Sequence, residues 1–152
     1  MTVRQARPDE AAAISDLAFR AKAHWGYDDA FMAACRAELT WSAEEVGRHD
    51  VLVWDEDGRL LGTTARIGSD PDARLWAVFV DPAAHGRGIG RALLEALLTR
   101  ARAAGCRSLS IGADPNAEGF YRAVGARRVG TVASDTVADR TLPLMRFDLA
   151  GA

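Results

Sequence analysis

The residues best suited to chemistry are His85-Gly86-Arg87-Gly88-Ile89-Gly90-Arg91, three glycines and two arginines directly before a helical repeat of apolar residues. Glycines at alternate positions let backbone N–H groups converge, because no Cβ blocks the close approach of a ligand. A helix starting there adds about half a positive charge. Arg87 and Arg91 add a full charge each. The chemistry is anion binding, and phosphate suits it best. A Walker A loop is excluded, since GxxxxGK[ST] requires a lysine and this stretch has none. The dinucleotide fingerprint GxGxxG fits Gly86 and Gly88, but its third glycine falls on Arg91. Asp114 could imitate the ribose-binding acid, yet too few residues follow it to complete a doubly wound sheet, so a nucleotide-dependent oxidoreductase is a weak reading.

The elements that must hold this loop can be read from periodicity. Val3 to Gln5 closes a short strand, and Pro8, Asp9 and Glu10 open a helix with Ile14, Leu17, Ala18 and Ala21 on one face. His24-Trp25-Gly26-Tyr27 breaks it. Asp28 or Asp29 caps a second helix with the face Phe31, Ala34, Cys35 and Leu39, and Ser42 with Glu45 forms a capping box for a third. From Val51 the period changes. Val51–Trp54 and Arg59–Ile67 read as a hairpin, 68–72 as a turn, and Leu75–Val80 as a largely apolar strand. A long helix runs from about Gly88 to Ala104, its face built on Ile89, Ala92, Leu93, Ala96 and Leu97, and Gly105 stops it. Arg107–Gly112 is a strand, Asn116–Val124 a short helix, and Ala126–Thr131 and Leu142–Leu149 two more strands. The class is mixed α/β with a hairpin-rich first half.

The whole chain bounds what the loop can serve. Its 152 residues make one domain, 1–152, and 49% hydrophobic with 26% charged residues is the balance of a soluble globular protein. A formal net charge of −2 leaves no broad basic face, which argues against DNA or RNA as partner. No apolar run reaches the roughly 18 residues of a membrane span, and Met1 to Pro8 lacks the apolar core of a secretory signal. A cytoplasmic protein is expected. Cys35 and Cys106 have no metal-ligand spacing and read as small buried hydrophobes, so no metal site is expected.

The loop resembles that of the GNAT superfamily of acyl-CoA-dependent N-acetyltransferases, (Gln/Arg)-x-x-Gly-x-(Gly/Ala), here His85-Gly86-Arg87-Gly88-Ile89-Gly90. Val78-Phe79-Val80-Asp81-Pro82 is similar to the family's strand and V-x-P entry, and Phe120-Tyr121-Arg122-Ala123-Val124-Gly125-Ala126 to its FYxxxGF/A motif. Spacing and order agree from about Leu75 to Thr131, with a looser match over the whole chain. The resemblance implies a central, mostly antiparallel sheet in which the parallel strands 75–80 and 107–112 splay apart to admit pantetheine. Backbone groups at Phe79 and Val80 would bond its amides, and the stretch from His85 through Gly86, Arg87, Gly88, Ile89 and Gly90 to Arg91 would hold the pyrophosphate of acetyl-CoA. A homodimer is the assembly common in such proteins.

Two departures stand out: His85 occupies a position usually Gln or Arg, and Asp114, followed by Asn116, stands seven residues before the motif tyrosine where Asn is usual. Attack of an amine on a thioester needs loss of the ammonium proton, a stabilised oxyanion and a proton for the departing thiolate. The resemblance implies that Tyr121 supplies that last proton, its phenol being protonated at neutral pH, and that a backbone N–H near Val80 polarises the carbonyl. The carboxylate that many members carry before the loop is missing from Ala73-Arg74-Leu75-Trp76-Ala77. His24, the side-chain type most often used as a general base near neutral pH, is the expected base. Asp28 and Asp29 read as helix caps. Trp25, Tyr27, Phe31, Trp41 and Trp76 are candidates to line an acceptor pocket, with 134–141 as its rim. The expected activity is acetyl transfer to a primary amine of a small molecule or protein; the alternative is a non-catalytic acyl-CoA-binding module.

Overall fold

Alternation along β2 (Asp50–Glu56) shows how the sheet is sandwiched: Val51 and Val53 pack on one face with Ile14 and Ala65, whereas Leu52 and Trp54 face the opposite side with Leu93, Leu94 and Leu97. The computed structural model describes residues 2–68 and 71–149. Among these, β1 (Thr2–Gln5), β2, β3 (Arg59–Ile67), β4 (Asp72–Val80), β5 (Ser108–Gly112), β6 (Arg127–Ala133) and β7 (Thr141–Asp148) form one seven-stranded sheet in the order β1-β2-β3-β4-β5-β7-β6. Every neighbouring pair is antiparallel except β4 and β5. A parallel pair needs a crossover, and α4 (Ile89–Ala103) supplies it. Its Leu93, Leu94 and Leu97 are fully buried, each contributing about 1.5–3 kcal/mol relative to exposure.

The other face is covered by α1 (Ala11–Ala23) and α2 (Asp29–Leu39), followed by the short α3 (Ala43–Arg48). Asp28 caps α2, its carboxylate accepting the Phe31 N–H at 2.8 Å, and Ser42 with Glu45 forms the capping box expected for α3. The buried residues of α2 are Met32, Cys35 and Leu39; Phe31 is half-buried and Ala34 exposed. This corrects the expected face by a fraction of a turn, because the helix faces α1 and not the sheet alone. The expected last helix divides into a 3-10 turn, Pro115–Ala117, and α5 (Glu118–Ala123). Ser69 and Asp70 of the expected turn lie outside the described residues.

β4 begins at Asp72, earlier than its apolar run suggested, because its first residues are recruited by β5. Asp72 pairs with Ser108, Ala73 with Leu109 and Arg74 with Ser110, and there the register ends. The Ser108 hydroxyl donates to the Asp72 carboxylate, and the Arg107 N–H to the Pro71 carbonyl, so this end is pinned. Beyond it β4 runs on to Val80 beside β3, while Ile111 and Gly112 of β5 pair only with Met145 and Leu144 of β7. The two parallel strands therefore part, with backbone polar groups facing the gap.

Candidate active site

Backbone direction identifies which groups enter the gap. Phe79 pairs with Thr63 of β3, and the Asp81 N–H donates to the Leu61 carbonyl at 2.8 Å, so Phe79 and Asp81 turn their polar groups to β3. Alternation turns those of Val78 and Val80 into the gap. The expected role of Phe79 in backbone bonding is thereby corrected to Val78, since a slip of one residue reverses the side of the strand. The Val78 N–H donates to the phenol oxygen of Tyr121 at 3.2 Å, and His85 Nε2 lies 3.3 Å from the Val80 carbonyl oxygen. Tyr121 is 2% exposed, and burial pushes its phenol well above the ordinary tyrosine range. Its oxygen accepts from Val78, so its own hydrogen is free to be donated elsewhere.

At the end of β4, Asp81 builds the turn into the loop. Its buried carboxylate accepts the Ala83 N–H at 2.9 Å and is paired with Arg20 at 3.2 Å and Arg59 at 3.6 Å. The backbone hydrogen bond, with the arginines adding to it, holds Asp81 below the usual carboxylate range despite its burial. The glycines that follow serve two different needs. Gly86 and Gly88 have φ of 82° and 79°, a left-handed backbone, and a Cβ at either would meet nothing within 4 Å. Gly90 is an ordinary helical residue whose Cβ would stand 3.3 Å from Val80 Cγ2 and 3.4 Å from Phe120, so its smallness brings α4 onto β4 and α5. The N-terminus of α4, with Gly88 as its cap, opens onto the free space beside Gly86 and Gly88.

The two loop arginines are not bare cations. Arg87 forms a two-pronged pair with Glu56, at 2.7 and 3.1 Å, and Arg91 pairs with Glu95 at 2.7 Å. The hydrogen bonds raise the Arg87 guanidinium and lower the Glu56 carboxylate from their ordinary values. Both pairs are exposed, so an incoming phosphate can compete for the guanidinium groups at little cost.

A cavity of about 1010 Å³ joins these parts, running from His85, Gly86 and Gly88 past Val78, Val80 and Tyr121 to Trp41 and Trp76. Trp25, 48% exposed, stands on its wall. Tyr27 and Phe31 are stacked on each other with ring centroids 3.9 Å apart. The 134–141 rim contributes Ser134, Asp135, Thr136 and Arg140. His24 and Arg87, among the assigned residues, and Tyr27 and Phe31, among the candidate pocket aromatics, are not brought onto the cavity wall. His24 ends α1, exposed, with its ring edge-on to that of His85, which is on the wall, at 5.2 Å between centroids.

Sequence reading missed one cluster. Asp114 Oδ2 accepts from Lys22 Nζ at 3.2 Å and from the Tyr27 hydroxyl at 2.8 Å, and Oδ1 accepts the Asn116 N–H at 2.9 Å. Arg140 donates to the Tyr27 oxygen at 2.9 Å and lies 3.6 Å from Asp114 Oδ2. Burial alone would raise Asp114, but these hydrogen bonds and the Lys22 charge outweigh it and hold the carboxyl below its ordinary range. The position seven residues before the motif tyrosine was the only local signal; Lys22 and Tyr27 lie 92 and 87 residues from Asp114, and Tyr27 lies 113 from Arg140, separations that no spacing rule reaches.

Residues 12–126 match the model of the acetyltransferase (GNAT) family. Serotonin N-acetyltransferase 2, chloroplastic, of Oryza sativa subsp. japonica is 34% identical over 84 residues, covering 51% of this chain and 42% of that protein. N-alpha-acetyltransferase RimI of Mycobacterium tuberculosis is 42% identical over 78 residues, 48% of this chain and 49% of its own length. The chain thus spans about half or less of the length of these curated relatives. Among solved structures, a GCN5-related N-acetyltransferase of Rhodopseudomonas palustris superposes with a TM-score of 0.79 at 19% identity, covering 97% of this chain and 95% of that one. A GNAT family acetyltransferase of Brucella melitensis in complex with acetyl-CoA gives 0.66 at 26% identity, covering 97% and 86%. No helix among the described residues is long and apolar enough to cross a membrane.

Proposed function

Since this chain belongs to the GNAT acetyltransferase family, we propose that it transfers an acetyl group from acetyl-CoA to a primary amine of a small molecule or protein. The observation that carries this reading is the parting of β4 from β5, with Tyr121 set on the Val78 N–H inside the gap and the glycine loop at one end of the same cavity. The residues fit the donor: open space beside Gly86 and Gly88 suits a pyrophosphate, and the gap-facing groups of Val78 and Val80 suit an extended chain of amides. Acetyl-CoA supplies an acyl group activated as a thioester. His85 through Arg91, including Ile89 at the first turn of α4, hold its phosphates, with Arg87 and Arg91 exchanging Glu56 and Glu95 for them.

Val80 then directs its N–H at the acyl oxygen, where negative charge grows as the amine attacks. Tyr121 keeps its proton through neutral pH and hands it to the departing sulfur as the C–S bond breaks, while the neutral amine's nitrogen gives up one proton to solvent, from which the phenol is restored. His24, off the cavity wall, is not retained as the base in this reading. A cytoplasmic location fits two free, buried cysteines, and a homodimer is the assembly carried over from the family. The absence of any carboxylate between Ala73 and Val80 favours a second reading, an acyl-CoA-binding module without turnover. Thermal denaturation with CoA and with NAD(P) tests the donor: stabilisation by CoA alone is expected, and stabilisation by NAD(P) alone would overturn it.

A further inference from the structure

The cluster around Asp114 has more cation than it can use. Lys22 and Arg140 both line the cavity, with side chains 11% and 18% exposed, and among the described residues each has Asp114 as its one carboxylate partner. Two positive charges therefore share one negative charge. The other carboxylates on the cavity wall, Glu38, Glu45 and Asp135, form no ion pair with either cation. Asp114 is itself saturated by Lys22, Tyr27 and Asn116. The Tyr27 hydroxyl donates to Asp114 and accepts from Arg140 and Asn116, so it is filled as well.

Donors remain. An ammonium has three N–H groups and a guanidinium five, and Lys22 spends one on Asp114 while Arg140 spends one on Tyr27. The stacked pair Tyr27–Phe31 fixes where they stand: the Arg140 guanidinium carbon is 4.8 Å from the Phe31 centroid and Lys22 Nζ is 5.7 Å from that of Tyr27. Half-desolvated cations with spare donors on a cavity wall call for an anion, and a guanidinium fork beside an ammonium matches the two oxygens of a carboxylate. The phosphates of the donor have the glycine loop, so this anion comes from the acceptor. It would enter between the end of α1 and the 134–140 loop, both of which border the cavity.

We infer that the amine acceptor carries a carboxylate, as an amino acid or a short amino-carboxylate does, and that Lys22 and Arg140 bind it. The inference rests on the acetyl-CoA-dependent reading above. The test uses the full chain saturated with CoA, titrated with amino acids and ω-amino acids of graded length, each compared with its own carboxamide, and read by thermal shift and by thiol release from acetyl-CoA. Added stabilisation and at least tenfold higher kcat/KM for acids over amides are expected. Arg140→Gln should abolish the difference and Arg140→Lys should restore part of it, both keeping the CoA shift. A CoA shift with no preference for acids over amides, in binding or turnover, overturns the carboxylate site and leaves the transferase reading standing. Loss of preference in Arg140→Gln accompanied by loss of the CoA shift would show a structural role and also overturns it. Absence of any CoA shift in the unaltered protein overturns the transferase reading, and this inference with it.

Discussion

Replacing Tyr121 by phenylalanine removes one oxygen and leaves the ring, which makes it the cleanest probe of the gap between β4 and β5. Two consequences follow from the 3.2 Å bond between the Val78 N–H and the phenol. The first is structural: a part-buried N–H loses its acceptor, costing about 0.5–1.5 kcal/mol, or a fall in Tm of roughly 1–6 °C for a chain of this size. The second is chemical. If the phenol protonates the leaving thiolate, kcat falls by about 10²- to 10⁴-fold at saturating acetyl-CoA, the range for general acids, with little change in KM for the donor. Stopped assays of free thiol at matched CoA occupancy measure this, and circular dichroism confirms that the variant is folded. The alkaline limb gives an independent arm. The folded protein retains the Tyr121 proton above about pH 10, where tyrosines of the unfolded chain release theirs, so the folded state binds more protons there and stability falls as pH rises. Tyr121→Phe should flatten that fall. A folded variant with full turnover refutes the acid assignment, and an unchanged alkaline limb refutes the burial argument beneath it.

Glu56→Gln releases Arg87 from its two-pronged partner, and calorimetry should show CoA binding about two- to fivefold tighter, the scale of an exposed ion pair; unaltered affinity would mean that Arg87 does not reach the phosphates. Gly88→Ala forces a Cβ onto a backbone with φ of 79° and should destabilise by about 1–2 kcal/mol although space is free, as urea denaturation can measure. His24→Ala should leave the acidic limb of the kcat/KM profile in place, because His24 is not on the cavity wall; a lost or displaced limb would reinstate His24 as the base.

What could be read from sequence depended on how local the cause was. Gly86 and Gly88 announce a loop open to close approach, Asp28 and Ser42 announce helix starts, and the apolar run 75–80 announces a strand; each needs only its neighbours. The parting of the strands came from resemblance, since a period of two is the same whether or not β5 is alongside. Its consequences for Phe79 and Val78 hinged on register with β3, which sequence does not express. Long-range charge was least legible. Arg87 read as a free cation because its partner, Glu56 at the end of β2, lies 31 residues away, whereas Glu95, the partner of Arg91, is only four residues on. Lys22, Asp114 and Arg140 come from α1, the end of β5 and the β6–β7 loop, and only the closed sheet brings them together.

The most direct measurement is release of free thiol from acetyl-CoA by the purified protein with a panel of primary amines, with the acetylated product identified by mass spectrometry. Amine-dependent thiol release matched one to one by N-acetyl product, and strongly reduced in Tyr121→Phe, is the expected result. Stabilisation by CoA with no amine-dependent thiol release from any acceptor would contradict it and make the chain an acyl-CoA-binding module.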